Sequence, residues 1–206
     1  EGRWPWPREK LARLVDALQK QQVRLIGFDV VFSEAELNPV SQVLASGQLS
    51  EATATELQPL VAQLDGDSQF AKVISKNTVL GYFLHNSGGI HVGELPAPIL
   101  RIDSKDKNKL SMNFMPDYTG NLPMFAKTVV GAGFVTTLPD VDGVMRRSPL
   151  VLRYEDGLYS SLSLELAKIY LNAPFVKLQT VKSGSQLRLE SLSIGNTIIH
   201  TDESGV

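Results

Sequence analysis

One acidic side chain stands inside the most apolar run of the sequence. Asp29 lies within VRLIGFDVVF at 23–32, and Glu34 follows two residues after that run. An ionised carboxylate among Ile, Phe and Val is costly to bury unless a cation or several hydrogen-bond donors meet it. Asp29 is therefore either a ligand-site residue at the end of a parallel strand, where ligands gather in open α/β sheets, or a structural carboxylate that binds arginines from another segment.

The densest group of charged side chains lies in the segment PDVDGVMRRSP at 139–149. Its Asp-x-Asp-Gly start is similar to a calcium loop, but valine, methionine and two arginines follow instead of further oxygen ligands, so we favour a plain turn. Adjacent residues of a strand point to opposite faces, so we expect only one of the two arginines to face inward. That arginine can pair with an acidic residue near the first run, or bind a carboxylate or phosphate ligand. The candidate polar cluster, for ligand binding or for structure, consists of Asp29, Glu34, Asp140, Asp142, Arg146 and Arg147.

Other kinds of chemistry find little support in the residue types. The chain has no cysteine, which excludes disulfides, cysteine-ligated metals and cysteine nucleophiles. The spacing of His85, His91 and His200 fits no metal motif. Ser160 and Ser161 lack the Gly-x-Ser-x-Gly setting of a nucleophile elbow, so we expect a helix cap there. We expect no catalytic residue, no metal and no cofactor.

The composition is that of a folded globular protein. The 206 residues are 43% hydrophobic and 20% charged, and 20 basic against 22 acidic residues give a formal net charge of −2. This balance does not support nucleic-acid binding, which normally leaves a basic footprint. No run supplies the ~18 apolar residues of a membrane span. We expect a single domain over residues 1–206 and, because the sequence stops in a turn-like string, a truncated C-terminus.

Hydrophobic periodicity predicts the elements that must position these residues. Prolines and an amphipathic pattern predict an N-terminal helix over 7–22. The other predicted elements are buried strands at 23–32 and 78–84, one or two helices within 33–64, a β-hairpin formed by 133–138 and 144–154, a helix after Ser161, and short strands within 176–201. Residues 85–122 carry no clear pattern. The predicted fold class is α/β, with a mixed β-sheet flanked by helices, a β-hairpin and a C-terminal set of short strands.

Several blocks together resemble the type-two CHASE domain, the cyclase/histidine-kinase-associated sensory extracellular domain. Their order and spacing make this resemblance more specific than any single motif. The blocks are RWPWPR at 3–8, IGFDVVFSE at 26–34, GFV at 133–135, PDxDGVxRRxPL at 139–150 and YxSLxLELA at 159–167. The region 35–125 matches only loosely.

The resemblance implies a sensor domain on the extracytoplasmic (periplasmic) side of the bacterial inner membrane. The parent would be a multi-pass receptor, with one transmembrane helix before the domain, several after it, and a cytoplasmic output such as an adenylate cyclase, a histidine kinase of a two-component system or a Ser/Thr kinase. The domain itself would be no enzyme, and we expect a homodimer that passes on changes in ligand occupancy or dimer packing. In this setting Trp4 and Trp6 are membrane-proximal residues that lie at the membrane interface or pack under the domain.

Two other functions compete with the sensor. One is a structural dimerisation or partner-binding module that has no small ligand. The other is a metal-dependent phosphohydrolase in which Asp29 reacts and Arg146 holds the phosphate. A phosphohydrolase of the haloacid-dehalogenase type would carry a second aspartate at position 31, which is a valine in this chain.

Overall fold

A computed structural model describes residues 4–103, 106, 109–140 and 142–206. The helices are α1 (Arg8–Lys20), α2 (Pro39–Ala45), α3 (Glu51–Gln63), α4 (Gly66–Ile74), α5 (Pro123–Ala126) and α6 (Leu162–Tyr170). The strands are β1 (Ile26–Phe28), β2 (Thr78–His85), β3 (His91–Val92), β4 (Leu100–Arg101), β5 (Asp117–Thr119), β6 (Gly131–Phe134), β7 (Val151–Tyr154), β8 (Gly157–Ser160), β9 (Val176–Ser183), β10 (Gln186–Ile194) and β11 (Thr197–His200).

Strand β2 is the centre of a mixed sheet. Its first half pairs in parallel with β1 on one side and with β6 on the other. Its second half pairs antiparallel with β5, which in turn pairs with β3. Two further sheets have the orders β4–β8–β7 and β11–β10–β9. The predicted fold class, a mixed sheet with helices and C-terminal strands, is confirmed.

The helices pack on the sheet through apolar faces that the periodicity predicted. Leu11 and Val15 of α1 are buried against Phe70 and Ile74 of α4. Within the same cluster, Phe28, Phe32, Phe70 and Phe125 meet edge to face, an arrangement that aromatic rings prefer. Helix α6 begins after Ser161, whose hydroxyl accepts the N–H of Leu164, so the predicted cap is confirmed.

The strand predicted at 23–32 is wrong in its extent, because the ladder of β1 ends at Phe28. On the β1 side of β2, residues Phe83–His85 are already paired with β5, so no partner remains there for a longer strand. The chain instead leaves the sheet past Gly81, where an added Cβ would lie 2.9 Å from the carbonyl oxygen of Phe28. Asp29 stands at this departure and is exposed.

The hairpin predicted from 133–138 and 144–154 is also wrong. Strand β6 is used by β2 and not by the returning chain. The hairpin is formed instead by β7 and β8, which turn at Glu155 and Asp156. The described residues of 139–149 form an irregular and largely exposed connection. Pro139 and Pro149 at its ends, which lack an N–H for a ladder, fit that result.

Candidate functional site

The structure does not bring the candidate polar cluster together as predicted. Asp29 and Glu34 are both exposed, and no contact within the described residues joins either carboxylate to Arg146 or Arg147. The predicted burial of Asp29 is wrong because the chain has already left the sheet at that position. Glu34 contributes only its backbone carbonyl, which accepts a hydrogen bond from Arg8 at 3.1 Å.

The buried carboxylate near the apolar core is Asp67, in the first turn of α4. Its side chain is 9% exposed and accepts a hydrogen bond from Nε of Arg8 at 3.1 Å. The guanidinium of Arg8, 16% exposed, also lies 4.5 Å from the centre of the Phe32 ring. A partly buried cation is thus met by a carboxylate, a carbonyl and an aromatic face, which together offset the cost of removing it from water.

Glu36 completes this group, which we name the Arg8 hub (Arg8, Glu36 and Asp67). The Glu36 carboxylate accepts the backbone N–H of Arg8 at 2.9 Å, and its own N–H donates to Asp67 at 2.8 Å. Glu36 therefore caps α1, because the Pro7 that precedes the helix offers no side-chain acceptor. The hub ties the first turn of α1 to the first turn of α4 and to the segment after β1.

The segment Asp65-Gly66-Asp67 places two carboxylates at the start of α4, and they have different roles. Asp65 is the cap, since its carboxylate accepts the N–H of Ser68 at 3.0 Å. That bond and the bond from the Ser68 hydroxyl lower the pKa of Asp65. Asp67, two residues on, points to the core side. The available signal was a second carboxylate on the face of α4 that also carries Phe70 and Ile74.

The two tryptophans before α1 have different surroundings. Trp6 is partly buried and packs against the apolar cluster of α1 and α4, with the ammonium of Lys10 at 4.1 Å from its ring. Trp4 is 56% exposed, and its ring centre lies 6.2 Å from that of Trp6. Trp6 thus follows the packing alternative, whereas the exposed ring of Trp4 is available to an outside surface. Arg3 lies outside the described residues.

The acidic and basic residues of 139–149 pair with one another. Arg146 contacts Asp140 at 3.0 Å and Asp142 at 2.8 Å, and Arg147 contacts Asp140 at 3.2 Å. Both arginines reach one carboxylate, contrary to the prediction, because this segment is a loop and not a strand. Hydrogen bonds from the guanidinium groups lower the pKa of Asp140 and, from Arg146, that of Asp142.

Arg147 also joins this loop to the last described turn of the chain. Its guanidinium lies 3.5 Å from Asp202, whose carboxylate accepts the N–H groups of Ser204 at 2.9 Å and Val206 at 3.1 Å. Burial raises the pKa of Asp202, but the hydrogen bonds from the Ser204 hydroxyl and from these N–H groups outweigh it, so the net shift is downward. The N–H of Leu150 donates to the carbonyl of Gly205 at 2.8 Å. The loop and the turn therefore form one hydrogen-bonded unit.

Asp117 of β5 is a second buried carboxylate that sequence reasoning did not find. It accepts backbone N–H groups from Ser87, Gly88 and Gly89 at 2.7, 2.9 and 3.0 Å. Burial raises the pKa of Asp117, but the three N–H donors outweigh it, and His91 at 3.5 Å acts in the same direction, so the net shift is downward. The arrangement holds the turn after β2 against β5.

We predict that Asp117→Asn destabilises the protein at pH 7 and that the difference from wild type shrinks in acid. A carboxyl with a lowered folded pKa stabilises above its ordinary pKa of 3.8, and this contribution is lost as the pH falls through the folded value. Urea unfolding at pH 7 and at about pH 3 measures the difference. The exposed Asp29→Asn serves as the control at pH 7 and should match wild type. A stability difference between wild type and Asp117→Asn that grows in acid would contradict the lowered pKa assigned to Asp117.

The described residues contain no group of three or more Asp, Glu or His side chains arranged to hold a metal ion. His85 bonds the hydroxyl of Thr119 at 2.9 Å, and the ring of His91 stacks on Tyr118. His200 is exposed on β11. No helix in the described part of the chain has the length and apolar character needed to cross a membrane.

The domain is a mixed α/β fold in which ion pairs and hydrogen bonds tie separate segments of the chain together. The CHASE2 domain family matches residues 1–205, and the chain belongs to this family of sensory extracellular receptor domains. The resemblance read from the sequence is confirmed. No curated protein and no solved structure matches the chain.

Proposed function

We propose that this domain is the periplasmic input module of a bacterial transmembrane receptor and that helix α1 carries the signal. The parent protein would have one membrane helix before the domain, several after it, and a cytoplasmic output domain such as an adenylate cyclase or a sensor kinase. The domain itself catalyses no reaction. Membership of the CHASE2 family supports the sensory class, and the Arg8 hub supports the choice of α1.

The Arg8 hub is the observation that carries this choice. It fixes the first turn of α1 at a point just after Trp4 and Trp6, where a preceding membrane helix would join the domain. Leu11 and Val15 continue the contact along α4. Because packed helices have discrete arrangements, a shift of α1 against α4 would be a two-state movement that ligand occupancy or dimer packing can bias.

The parent gene gives the simplest test. A membrane helix before residue 1, further membrane helices after residue 206 and a catalytic output domain would support the proposal. A parent that lacks membrane helices would overturn it.

Cysteine cross-linking in the full receptor tests the role of α1. The domain has no native cysteine, and any cysteine elsewhere in the receptor is replaced by serine, so that each introduced cysteine reports alone. Arg13, Leu14 and Ala17 are exposed on α1, and cysteines there should cross-link between the two copies to different extents in the low and high output states. The control is Glu56→Cys on α3, which is exposed and away from α1. An α1 cross-linking pattern that is identical in both output states would contradict the proposal.

The partner-binding alternative is favoured by an exposed apolar patch near the end of α6. Tyr170 and Leu171 are 52% and 51% exposed, and Phe175 is 78% exposed. Leu171 and Phe175 border one cleft with the turn between β10 and β11. Exposed aromatic and aliphatic side chains in one place are typical of a protein contact. The homodimer proposed for the receptor can use this patch, so the two functions differ only in whether a small ligand also binds.

Phe175→Asp should weaken dimerisation of the 206-residue chain by about tenfold or more, if the patch is the dimer contact. The reason is that an aspartate places a charge in an apolar interface. Sedimentation velocity over a range of concentrations measures the effect. Leu37→Asp, at a side chain that is 76% exposed on the α2 side, is the control and should leave dimerisation unchanged. Equal dimerisation of wild type and Phe175→Asp excludes this patch as the dimer contact.

A further inference from the structure

A cleft of about 880 Å³ opens beside the C-terminal sheet, where the last described turn of the chain approaches β10. Its size falls in the range of small-molecule sites, about 300 to 1,000 Å³. One wall is the segment 110–113, a second is β10 around Arg188, and the third is the turn at 201–204. The cleft lies apart from the Arg8 hub, since none of the three hub residues lines it.

Glu190 lines this cleft at a β-bulge. The register of β10 against β9 skips between Leu189 and Ser191, so that Glu190 is the extra residue. Bulges turn a side chain out of the regular alternation and are frequent next to binding sites. The Glu190 side chain makes no hydrogen bond or ion pair within the part of the chain that the structure describes, and the residue is exposed.

The other charged groups of the cleft are already paired. Arg188 contacts Glu203 at 2.9 Å, and Asp202 contacts Arg147 at 3.5 Å. Glu190 is therefore the lining carboxylate without a counter-charge among the described residues. The surplus charge of the cleft is negative, which favours a cationic ligand.

The wall beside Glu190 carries a polar group whose hydrogen bonding is incomplete. The hydroxyl of Thr201 is buried and has no hydrogen-bond partner in the described structure, although its backbone N–H donates to the carbonyl of Glu190 at 3.3 Å. A buried polar group without a partner is rare and destabilising, so a small movement of this wall that admits a polar atom is favourable. The side chains of Leu110, Met112 and Val181 supply apolar surface in the same cleft.

We propose that this cleft binds a small aliphatic primary amine. The ammonium group pairs with the carboxylate of Glu190, and its further N–H groups have the Thr201 side of the cleft as a source of acceptors. The carbon chain lies along the apolar surface of Met112 and Val181. An anionic or neutral ligand of the same length would leave Glu190 without a counter-charge and would bind more weakly.

Occupation of the cleft also has a structural route to the loop at 139–149. Asp202 and Ser204 belong to the cleft wall, and Asp202 is at the same time the partner of Arg147. A ligand that moves this wall therefore acts on the loop and on the turn together. Binding depends only on the cleft, whereas a signal that follows from binding rests on the proposed sensor function.

Isothermal titration calorimetry on the 206-residue chain at about 0.15 M salt tests the binding. The probes are n-butylammonium and 1,4-diaminobutane, with n-butanol and butyrate as matched neutral and anionic compounds of equal chain length. We expect saturable heat with the amines, and affinity about tenfold lower for Glu190→Gln. Glu56→Gln, at an exposed glutamate of α3, is the control variant and should bind as wild type does.

Three outcomes would overturn the proposal. They are the absence of saturable amine binding, equal affinity in wild type and Glu190→Gln, and binding of butyrate or of calcium chloride in preference to the amines. The receptor's output activity, measured with the same amines, separates the two proposals. Amine binding that Glu190→Gln weakens, together with unchanged output, would support the site and count against the proposed sensor function.

Discussion

Asp67→Ala is expected to lower the free energy of unfolding by about 4 kcal/mol. The substitution leaves the guanidinium of Arg8, which is only 16% exposed, without its carboxylate partner. It also removes the acceptor of the Glu36 N–H, so two partly buried groups lose partners at once. Urea or guanidinium unfolding followed by circular dichroism measures the loss.

Asp16→Ala is the matched control for this variant, because it removes an aspartate that is also ion-paired. Asp16 and Lys20 lie one turn apart on the exposed face of α1, with 2.6 Å between their charged atoms. Such exposed pairs contribute about 0.5 kcal/mol. A loss for Asp67→Ala as small as that of Asp16→Ala would show that the Arg8 hub does not hold α1 to α4.

A double variant separates the charge of the hub from its packing. Replacing both partners, as Arg8→Met with Asp67→Leu, removes the ions without leaving either one alone in an apolar site. Buried ion pairs replaced in this way are often neutral or stabilising, so the double variant should be more stable than Asp67→Ala. In the full receptor, the same variant tests whether the charged contact itself is needed for signalling. A double variant less stable than Asp67→Ala would contradict this account.

The difference between Asp29 and Asp67 shows what the sequence could and could not predict about the site. The apolar run at 23–32 predicted a buried strand, but only Ile26 and Phe32 within it are buried. The physical argument that a buried carboxylate needs a cation is nevertheless realised in this protein. The buried carboxylate is Asp67 and not Asp29. The position of Asp29 depends on the course of the chain after Phe28, and that course depends on which strand pairs with the next part of β2. That is a long-range pairing with β5, and local pattern carries no information about it.

The loop at 139–149 gives a second example. Its residues were recognised as a cluster, and the ion pairs of Arg146 and Arg147 with Asp140 lie within it. The pairing to Asp202 joins residues 55 positions apart and depends on where the C-terminal strands place the last turn. By contrast, α1 and α6 were predicted closely, because helix periodicity and caps are local properties.

The Arg8 hub and the cleft at Glu190 give the domain two separable places at which contacts could change. The hub lies at the first turn of α1, and the cleft lies at the last described turn of the chain. A substitution in the Arg8 hub should therefore leave ligand affinity at the cleft unchanged. A substitution in the cleft should leave the packing of α1 on α4 unchanged, unless the sheet itself is disturbed.

Asn121→Leu is the substitution expected to disturb the sheet, and it should lower the free energy of unfolding by about 4 kcal/mol. Asn121 is 2% exposed; its side chain accepts the N–H of Phe32 and donates to the carbonyl of Gly81, both at 2.8 Å. It thereby joins the chain after β1 to β2 at the point where their ladder has ended, and leucine would leave two buried backbone groups unpaired. Hydrogen exchange should show faster exchange of the Phe32 amide, and Asn196→Leu, at an exposed turn, is the control.

Asn121→Asp keeps the acceptor and loses the donor. Its loss of unfolding free energy at neutral pH should shrink in acid, where a protonated carboxyl can donate to the carbonyl of Gly81. Two results would show that the Asn121 side chain does not hold the two segments together. One is a loss of stability in Asn121→Asp that does not depend on pH, and the other is an unchanged exchange rate of the Phe32 amide in Asn121→Leu.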